Sequence, residues 1–128
     1  MQLTDLTAVR LLDGYRKGEF SPVEVTEQAL ERARRSGPEV NAFVRLTEED
    51  ALARARESEA RWLRGEPAGL VDGVPVTVKD ILLLRGHPTL RGSRTISEQG
   101  SWDEDAPPVA RLREHGAVFL GKTTTPEY

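Results

Sequence analysis

The pattern of apolar residues changes near residue 68, and this change constrains the fold more than any other feature. Before it, charged residues and alanine are dense and glycine is rare; after it, glycine, proline and β-branched residues rise together. Helices with one buried face carry apolar residues every three or four positions, whereas buried strands are short apolar or β-branched runs. We therefore predict a single domain over 1–128, with a helical part at 1–68 and an α/β part at 69–128.

Three amphipathic helices are predicted in the helical part. The first covers Asp5 to Lys17, with Thr4 as its N-cap. The second begins after Ser21, which can accept a hydrogen bond from a free amide of the first turn, and it stops near Gly37. The third opens at a cap signature, Thr47 to Asp50, and reaches Leu63, and its charged residues form a solvated face.

The α/β part predicts two buried strands joined by a loop and a helix. The strands are Val74 to Val78 and Ala117 to Leu120, and the helix begins near Ala106 with Asp105 as its cap. In the first half, Asn41 to Leu46 is a short strand or an extended link. The order strand, loop, helix, strand is typical of a parallel crossover, so we predict an α/β fold.

Composition excludes several classes of function. The chain has no cysteine, so disulfides, thiol nucleophiles and zinc–thiolate sites are excluded, and the two separated histidines, His87 and His115, disfavour a histidine metal site. The net charge is −3, with no basic excess in either half, so nucleic acid is not an expected partner. Apolar runs are too short for a membrane span. We expect a cytoplasmic protein without a metal or cofactor.

Two motifs match ligand-binding patterns, but the residues around each motif disfavour ligand binding there. Gly116 to Thr123, GAVFLGKT, matches the letters of a phosphate-binding loop, but such a loop needs a strand before it and a helix after it. Here a helix precedes it, the intervening residues form strands readily, and Pro126 opposes a following helix. A core strand is favoured, with nucleotide binding at Gly121-Lys122-Thr123 as a rival. Asp103 to Asp105 is interpreted as helix N-terminal charge rather than a metal site.

Lys79 is the candidate catalytic residue. The chain has three lysines and fifteen arginines, and only a lysine can give up its proton to become a base. Lys79 directly follows the first predicted strand, within GLVDGVPVTVKD. As a base its pKa must fall from about 10.4 to about 7–8, and we expect desolvation by Val76, Val78 and Ile81 to lower it. The alternative is a solvated surface lysine.

Three blocks in this order, GLVDGVPVTVKD, GHPTLRGS and DAPPVARLREHGAVFLGKTTTPEY, resemble the N-terminal segment of the amidase signature family. The resemblance is dense from Gly69 to Tyr128 and looser over the helices. It implies a serine hydrolase of amides, with a mixed sheet and flanking helices of which this chain forms an incomplete domain. It also implies that Lys79 is the base of a Ser-Ser-Lys triad, that Gly92-Ser93 lies in a loop near the site, and that GKTTTPEY is structural.

Two departures from the family pattern and one absence qualify this resemblance. Ile81 stands where asparagine is usual and Leu90 where a second threonine is common. The family's two serines come from a downstream glycine- and serine-rich block, whereas this sequence has no Ser-Ser pair. We therefore expect a truncated N-terminal amidase fragment, inactive alone, whose complete form would act on a small-molecule amide.

Two alternatives remain open at this point. One is a non-catalytic remnant that binds a partner or forms a homo-oligomer through an uncovered sheet edge. The other is a fragment of the A-type subunit of a tRNA-dependent amidotransferase, which works on misacylated tRNA with partner subunits. The residues that would separate a stand-alone amidase from an amidotransferase subunit do not lie in these blocks.

Overall fold

The computed structural model describes residues 2–128 as a mixed α/β fold. It opens with a 3₁₀ helix, Leu3–Asp5. The longer elements, in chain order, are α1 (Ala8–Lys17), α2 (Pro22–Val40), β1 (Phe43–Leu46), α3 (Glu48–Leu63), β2 (Pro75–Lys79), α4 (Pro107–Glu114) and β3 (Val118–Thr123). The predicted α/β class is confirmed. None of the helices within these residues is both long and apolar enough to cross a membrane.

The three strands form one mixed sheet in the order β1-β3-β2. β3 pairs antiparallel with β1 and parallel with β2, and the register places Lys79 beside Thr123. The predicted parallel crossover is therefore confirmed, since the chain leaves β2, passes through a long loop and α4, and returns along β3. The strand option at residues 41–46 is also confirmed. Within the described residues, β1 and β2 are the edges of the sheet.

Helices cover both faces of the sheet. Alternation along β3 directs Val118 and Leu120 toward α2 and α3, where they pack with Leu30. Phe119 points the other way and packs with Val78 of β2 and Val109 of α4. β3 is buried on both faces from Val118 to Lys122, which explains why its sequence is a nearly continuous apolar run rather than an alternating one.

The start of α1 differs from the prediction. The helix begins at Ala8 with Thr7 as its N-cap, and the Thr7 hydroxyl accepts a hydrogen bond from the Arg10 amide. The predicted cap, Thr4, lies in the 3₁₀ helix. The reason is tertiary: Leu3 is buried, and its amide donates to the Gln28 side chain, which holds the first residues against α2.

The end of α2 also lies beyond the predicted stop. Ser21 caps the helix as expected, accepting from the Glu24 amide, but the helix continues through Gly37 to Val40, and its C-cap Asn41 adopts the left-handed conformation. Pro38 lies inside the last turn, where its missing N–H removes one hydrogen bond without ending the helix.

Two predicted side-chain caps have other roles. The N-cap of α4 is Ala106, and the Asp105 carboxylate instead pairs with Arg113 at 2.6 and 3.0 Å and accepts from the Arg85 amide. Thr47 precedes α3, but its hydroxyl donates to the Phe119 carbonyl at 2.8 Å. Both side chains therefore connect elements that are distant in sequence, an outcome that local cap patterns do not indicate.

A buried ion pair anchors the loop that enters β2. Both carboxylate oxygens of Asp72 accept hydrogen bonds of 2.7 Å from Arg61 on α3, and the Ala68 amide donates to the same carboxylate at 2.6 Å. Burial by itself would raise the pKa of Asp72, but the hydrogen bonds from Arg61 and Ala68 outweigh it and lower that pKa. This ion pair lies at the amino end of β2, the end opposite to Lys79.

Gly116 packs directly against Asp72, and this contact generates the first testable prediction. Gly116 and Gly86 both have positive φ, of 87° and 92°, but a Cβ at Gly116 would lie 2.6 Å from an Asp72 carboxylate oxygen, whereas one at Gly86 would meet nothing within 4 Å. Gly116→Ala should lower the free energy of unfolding by about 1–3 kcal/mol more than the matched control Gly86→Ala, since overpacking adds to backbone strain. Urea unfolding followed by circular dichroism measures both, and equal losses would contradict the prediction.

Candidate functional site

The candidate site lies where the carboxyl ends of β2 and β3 meet. Lys79 ends β2 and Thr123 ends β3, and the Asp80 amide donates to the Thr123 carbonyl at 2.9 Å. The loops that follow two parallel strands necessarily start at the same edge of the sheet. In α/β folds, ligands bind at the carboxyl ends of the strands, so an active site is expected at this edge, the carboxyl edge of the sheet.

Lys79 itself is solvent-exposed. It lies on the sheet face opposite Val78, because successive side chains of a strand alternate. Among residues 2–128, no side chain forms a hydrogen bond or ion pair with its ammonium group. The structure therefore places the predicted base at the expected edge with its amine free.

The expected desolvation of Lys79 is wrong for the residues that we named. Val76 and Val78 pack on the α4 side of the sheet, away from the Lys79 side chain, and Ile81 is itself 39% exposed. Alternation along β2 explains this result, since residues 76 and 78 share one face and residue 79 lies on the other. The assignment of Lys79 as a catalytic base stays a prediction.

A second lysine, Lys122, is fully buried at the same edge. It pairs in register with Val78, so its side chain lies on the face opposite Lys79. Its ammonium group donates to the Leu82 carbonyl at 2.8 Å and to the Thr89 hydroxyl at 2.7 Å, and it lies 3.1 Å from the Asp80 carboxylate. Burial lowers the pKa of Lys122, and the Asp80 carboxylate opposes that shift. An ammonium has three N–H donors, and three oxygens are within reach.

Asp80, the residue after Lys79, is buried and contacts several neighbouring segments. The Asp80 carboxylate faces the Lys122 ammonium with one oxygen, as an ion pair rather than an aligned hydrogen bond, and accepts from the Leu90 amide at 3.3 Å with the other. Its backbone carbonyl accepts from the Arg91 amide at 3.0 Å, and its amide donates to β3. Every polar group of Asp80 is thus held by a neighbouring segment.

The loop that carries Gly92 and Ser93 lies against the residues that follow β3. The Ser93 hydroxyl donates to the Glu127 carboxylate at 2.7 Å, and the Tyr128 amide donates to the Arg91 carbonyl at 2.8 Å. Gly92 has φ of 68°, and a Cβ there would lie 2.6 Å from the Thr125 carbonyl oxygen. This close approach requires glycine and brings the loop to the same edge as Lys79.

The GAVFLGKT segment forms a core strand rather than a phosphate loop. Gly121, Lys122 and Thr123 are the last residues of β3, and a Cβ at Gly121 would collide with the Arg45 carbonyl of the neighbouring strand. The predicted strand is confirmed, and the nucleotide rival is incompatible with a lysine whose ammonium faces Asp80. In the described part of the chain, no group of three or more potential ligands could hold a metal ion.

Comparison with known proteins places the chain in a family. A family model described as Amidase matches residues 24–128. The chain belongs to the amidase signature family. A curated relative, the A-type subunit of glutamyl-tRNA(Gln) amidotransferase from Myxococcus xanthus, is 44% identical over 128 residues, which cover 100% of this chain and 26% of that protein. The chain thus spans about a quarter of the length of this relative.

Solved structures of amidase signature enzymes share the fold. The peptide amidase from Stenotrophomonas maltophilia superposes with a TM-score of 0.81 at 34% identity, covering 91% of this chain and 24% of that one. A bacterial aryl acylamidase belonging to the amidase signature enzymes gives a TM-score of 0.82 at 27% identity, covering 96% of this chain and 26% of that one. The sheet and its helices are therefore those of the family.

The residues that sequence patterns missed are Asp80, Thr89 and Lys122. A signal for Lys122 was present: it is one of only three lysines, and it lies two residues after the predicted buried strand Ala117 to Leu120. A lysine in a core strand needs a counter-charge and hydrogen-bond acceptors. The identity of those partners, 33 to 42 residues away, could not be read from local patterns.

The different environments of the lysines predict different reactivity toward amine acetylation. In the folded chain, Lys79 and the exposed Lys17 should be acetylated by an N-hydroxysuccinimide ester, whereas Lys122 should be protected because its ammonium is buried and bonded. Peptide mass spectrometry after a short reaction measures the extent at each lysine. Reaction in urea is the control, where all three should react. Equal acetylation of Lys122 and Lys17 in the folded chain would contradict the structure.

Proposed function

We propose that this chain carries the base of an amide-hydrolysing active site. In this proposal Lys79 is the lysine of a Ser-Ser-Lys triad, and both serines come from outside these 128 residues. The observation that supports it most directly is the place of Lys79, at the carboxyl edge of a parallel strand pair in a chain of the amidase signature family, with an amine that no described residue engages.

The chemistry follows from a neutral amine at this position. Lys79 would accept a proton through the bridging serine, so that the second serine attacks the carbonyl carbon of a carboxamide. The C–N bond then breaks, the amine leaves with the transferred proton, and water hydrolyses the acyl-enzyme. The amine has to be neutral at pH 7 to accept this proton, and desolvation is the effect that favours the neutral form of a lysine. Because Lys79 is exposed here, the desolvation has to come from the groups that complete the site.

The isolated chain is proposed to be inactive because it lacks the nucleophile. Its six serines include no adjacent pair. Ser93, the serine in the loop beside the edge, is buried, and its hydroxyl already donates to Glu127 and contacts Thr95. Turnover of a simple aryl amide by the isolated chain, lost in Lys79→Ala, would overturn this proposal.

The role of Lys79 is tested in the complete enzyme in which these residues are followed by the serine-bearing segment. Lys79→Ala should lower kcat/KM for an amide substrate by about 10²–10⁴-fold, since the base that activates the serine is removed. Lys79→Arg should lose as much, because arginine stays protonated. Lys17→Ala, at an exposed lysine on α1, is the matched control and should keep full activity. Unchanged activity in Lys79→Ala would refute the proposed role of Lys79 as the base.

A second candidate function is supported by the sequence identities to known proteins. The curated amidotransferase relative is 44% identical to this chain, against 34% and 27% for the peptide amidase and the aryl acylamidase. We therefore also propose an A-type amidotransferase subunit, in which amide cleavage serves transfer to misacylated tRNA. With a net charge of −3, these residues are unsuited to hold the tRNA backbone, so partner subunits would do so. Full amide turnover by the complete enzyme without partner subunits would favour the stand-alone amidase.

Self-association is a further proposed property of the isolated cytoplasmic chain. The Asp80 amide points toward β3, so alternation directs the Thr77 and Lys79 amides toward the free edge of β2. Unpaired edge donors favour strand pairing between copies.

A single substitution at this edge tests the pairing. Thr77→Pro removes an edge donor without removing a β2–β3 hydrogen bond, and it should lower the dimer fraction in light scattering at high concentration. Thr77→Val keeps the amide and is the control. A strictly monomeric parent chain would contradict self-association.

A further inference from the structure

The buried contacts of Lys122 reach the segment that directly follows the proposed base. One ammonium group on β3 contacts the Asp80 carboxylate, the Leu82 carbonyl and the Thr89 hydroxyl. These three oxygens belong to residues one, three and ten positions after Lys79. The Thr89 hydroxyl also donates to the Leu82 carbonyl at 3.3 Å, so Thr89 and Leu82 bond to each other as well as to Lys122. The Lys122 ammonium therefore contacts three residues of the segment that follows Lys79 and fixes that segment.

We propose that Lys122 and Asp80 are positioning residues that hold Lys79 in place for amide hydrolysis. This inference rests on the proposed function of Lys79. Asp80 shares a peptide unit with Lys79, and Asp80 is held by two contacts: its amide donates to the Thr123 carbonyl, and its carboxylate pairs with Lys122. Because the direction of the Lys79 side chain depends on this backbone, a shift of Asp80 is transmitted directly to the proposed base.

Lys79 and Lys122 lie on opposite faces of the sheet, and this difference separates their proposed roles. Lys122 points to the α4 side, where its ammonium contacts the Asp80 carboxylate and two neutral oxygens, whereas Lys79 points to the opposite side of the sheet and is solvent-exposed. Lys122 therefore does not touch a substrate in this arrangement. Its contribution comes through the segment it anchors, and a displacement of about 1 Å at a reacting group can lower a rate by about 10²-fold.

Loss of positioning can be separated from loss of stability by removing both charges together. A single Lys122→Met substitution would leave the Asp80 carboxylate buried without a counter-charge, and unfolding would then obscure its effect. The double variant Lys122→Met/Asp80→Asn removes both charges, and the asparagine oxygen can still accept from the Leu90 amide. Thr89→Val is a milder second variant, since it removes one acceptor of Lys122 and leaves the ion pair intact.

The chain supplies a matched control pair at the other end of the same strand. Asp72 is as buried as Asp80, and its partner Arg61 binds it with two hydrogen bonds, but this pair lies at the amino end of β2. The double variant Arg61→Met/Asp72→Asn therefore removes an ion pair with a buried carboxylate near the amino end of β2 without changing the segment after Lys79. A general softening of the fold would affect both double variants alike.

The experiment measures kcat and KM for a carboxamide substrate in the complete enzyme, together with urea unfolding of each variant. Lys122→Met/Asp80→Asn should lower kcat by about 10–10²-fold with KM within about twofold of the parent, and Thr89→Val should lower it by a smaller factor in the same direction. Arg61→Met/Asp72→Asn should keep kcat within about twofold. If the first double variant does not fold, Thr89→Val decides. Unchanged kcat in both site variants, or an equal loss in the control, would overturn the inference.

Failure of this inference is distinguishable from failure of the proposed function. If Lys79→Ala keeps its activity, Lys79 is not the base and the proposed function fails first. If Lys79→Ala is inactive while Lys122→Met/Asp80→Asn and Thr89→Val retain the parental kcat, Lys79 is the base and only the positioning role of Lys122 and Asp80 is refuted.

Discussion

The pairing of β3 with both neighbouring strands is the interaction on which the rest of the structure depends. β3 is hydrogen-bonded to β1 on one side and to β2 on the other, and helices cover it on both faces. Its apolar residues pack against α2 and α3 on one face and against α4 on the other. Gly121 permits β1 to approach closely, and Lys122, the one charged residue of the strand, anchors the chain beyond β2.

Parallel pairing of β2 and β3 has a direct chemical consequence. It brings the ends of two strands that are 44 residues apart, Lys79 and Thr123, into register, and the loops that follow them bond to each other through Asp80, Arg91 and Ser93. The edge thus combines an exposed amine with a rigid support of buried polar contacts. Such an arrangement suits an active site, because a reactive group needs freedom to meet its substrate while its backbone stays fixed.

Several boundaries and roles could be predicted from sequence, and others could not, for identifiable reasons. Ser21 caps α2 as its pattern indicates, and the strand–helix–strand order after residue 69 is confirmed. Asp105 and Thr47 carry equally good cap patterns, yet their side chains bond to Arg113 and to the Phe119 carbonyl. A cap pattern describes only local alternatives, and a distant partner with a better-placed charge or carbonyl outcompetes them.

The sequence by itself determined the α/β class, the amidase signature family and the position of Lys79 at the end of a strand, because periodicity and motif blocks are properties of short stretches of chain. Only the tertiary structure decided the environments of the two lysines. Alternation along β2 leaves Lys79 exposed and turns Val76 and Val78 away from it, while the register with β3 buries Lys122 against Asp80. Burial and pairing depend on which segments meet in space, and no local pattern in the chain specifies that meeting.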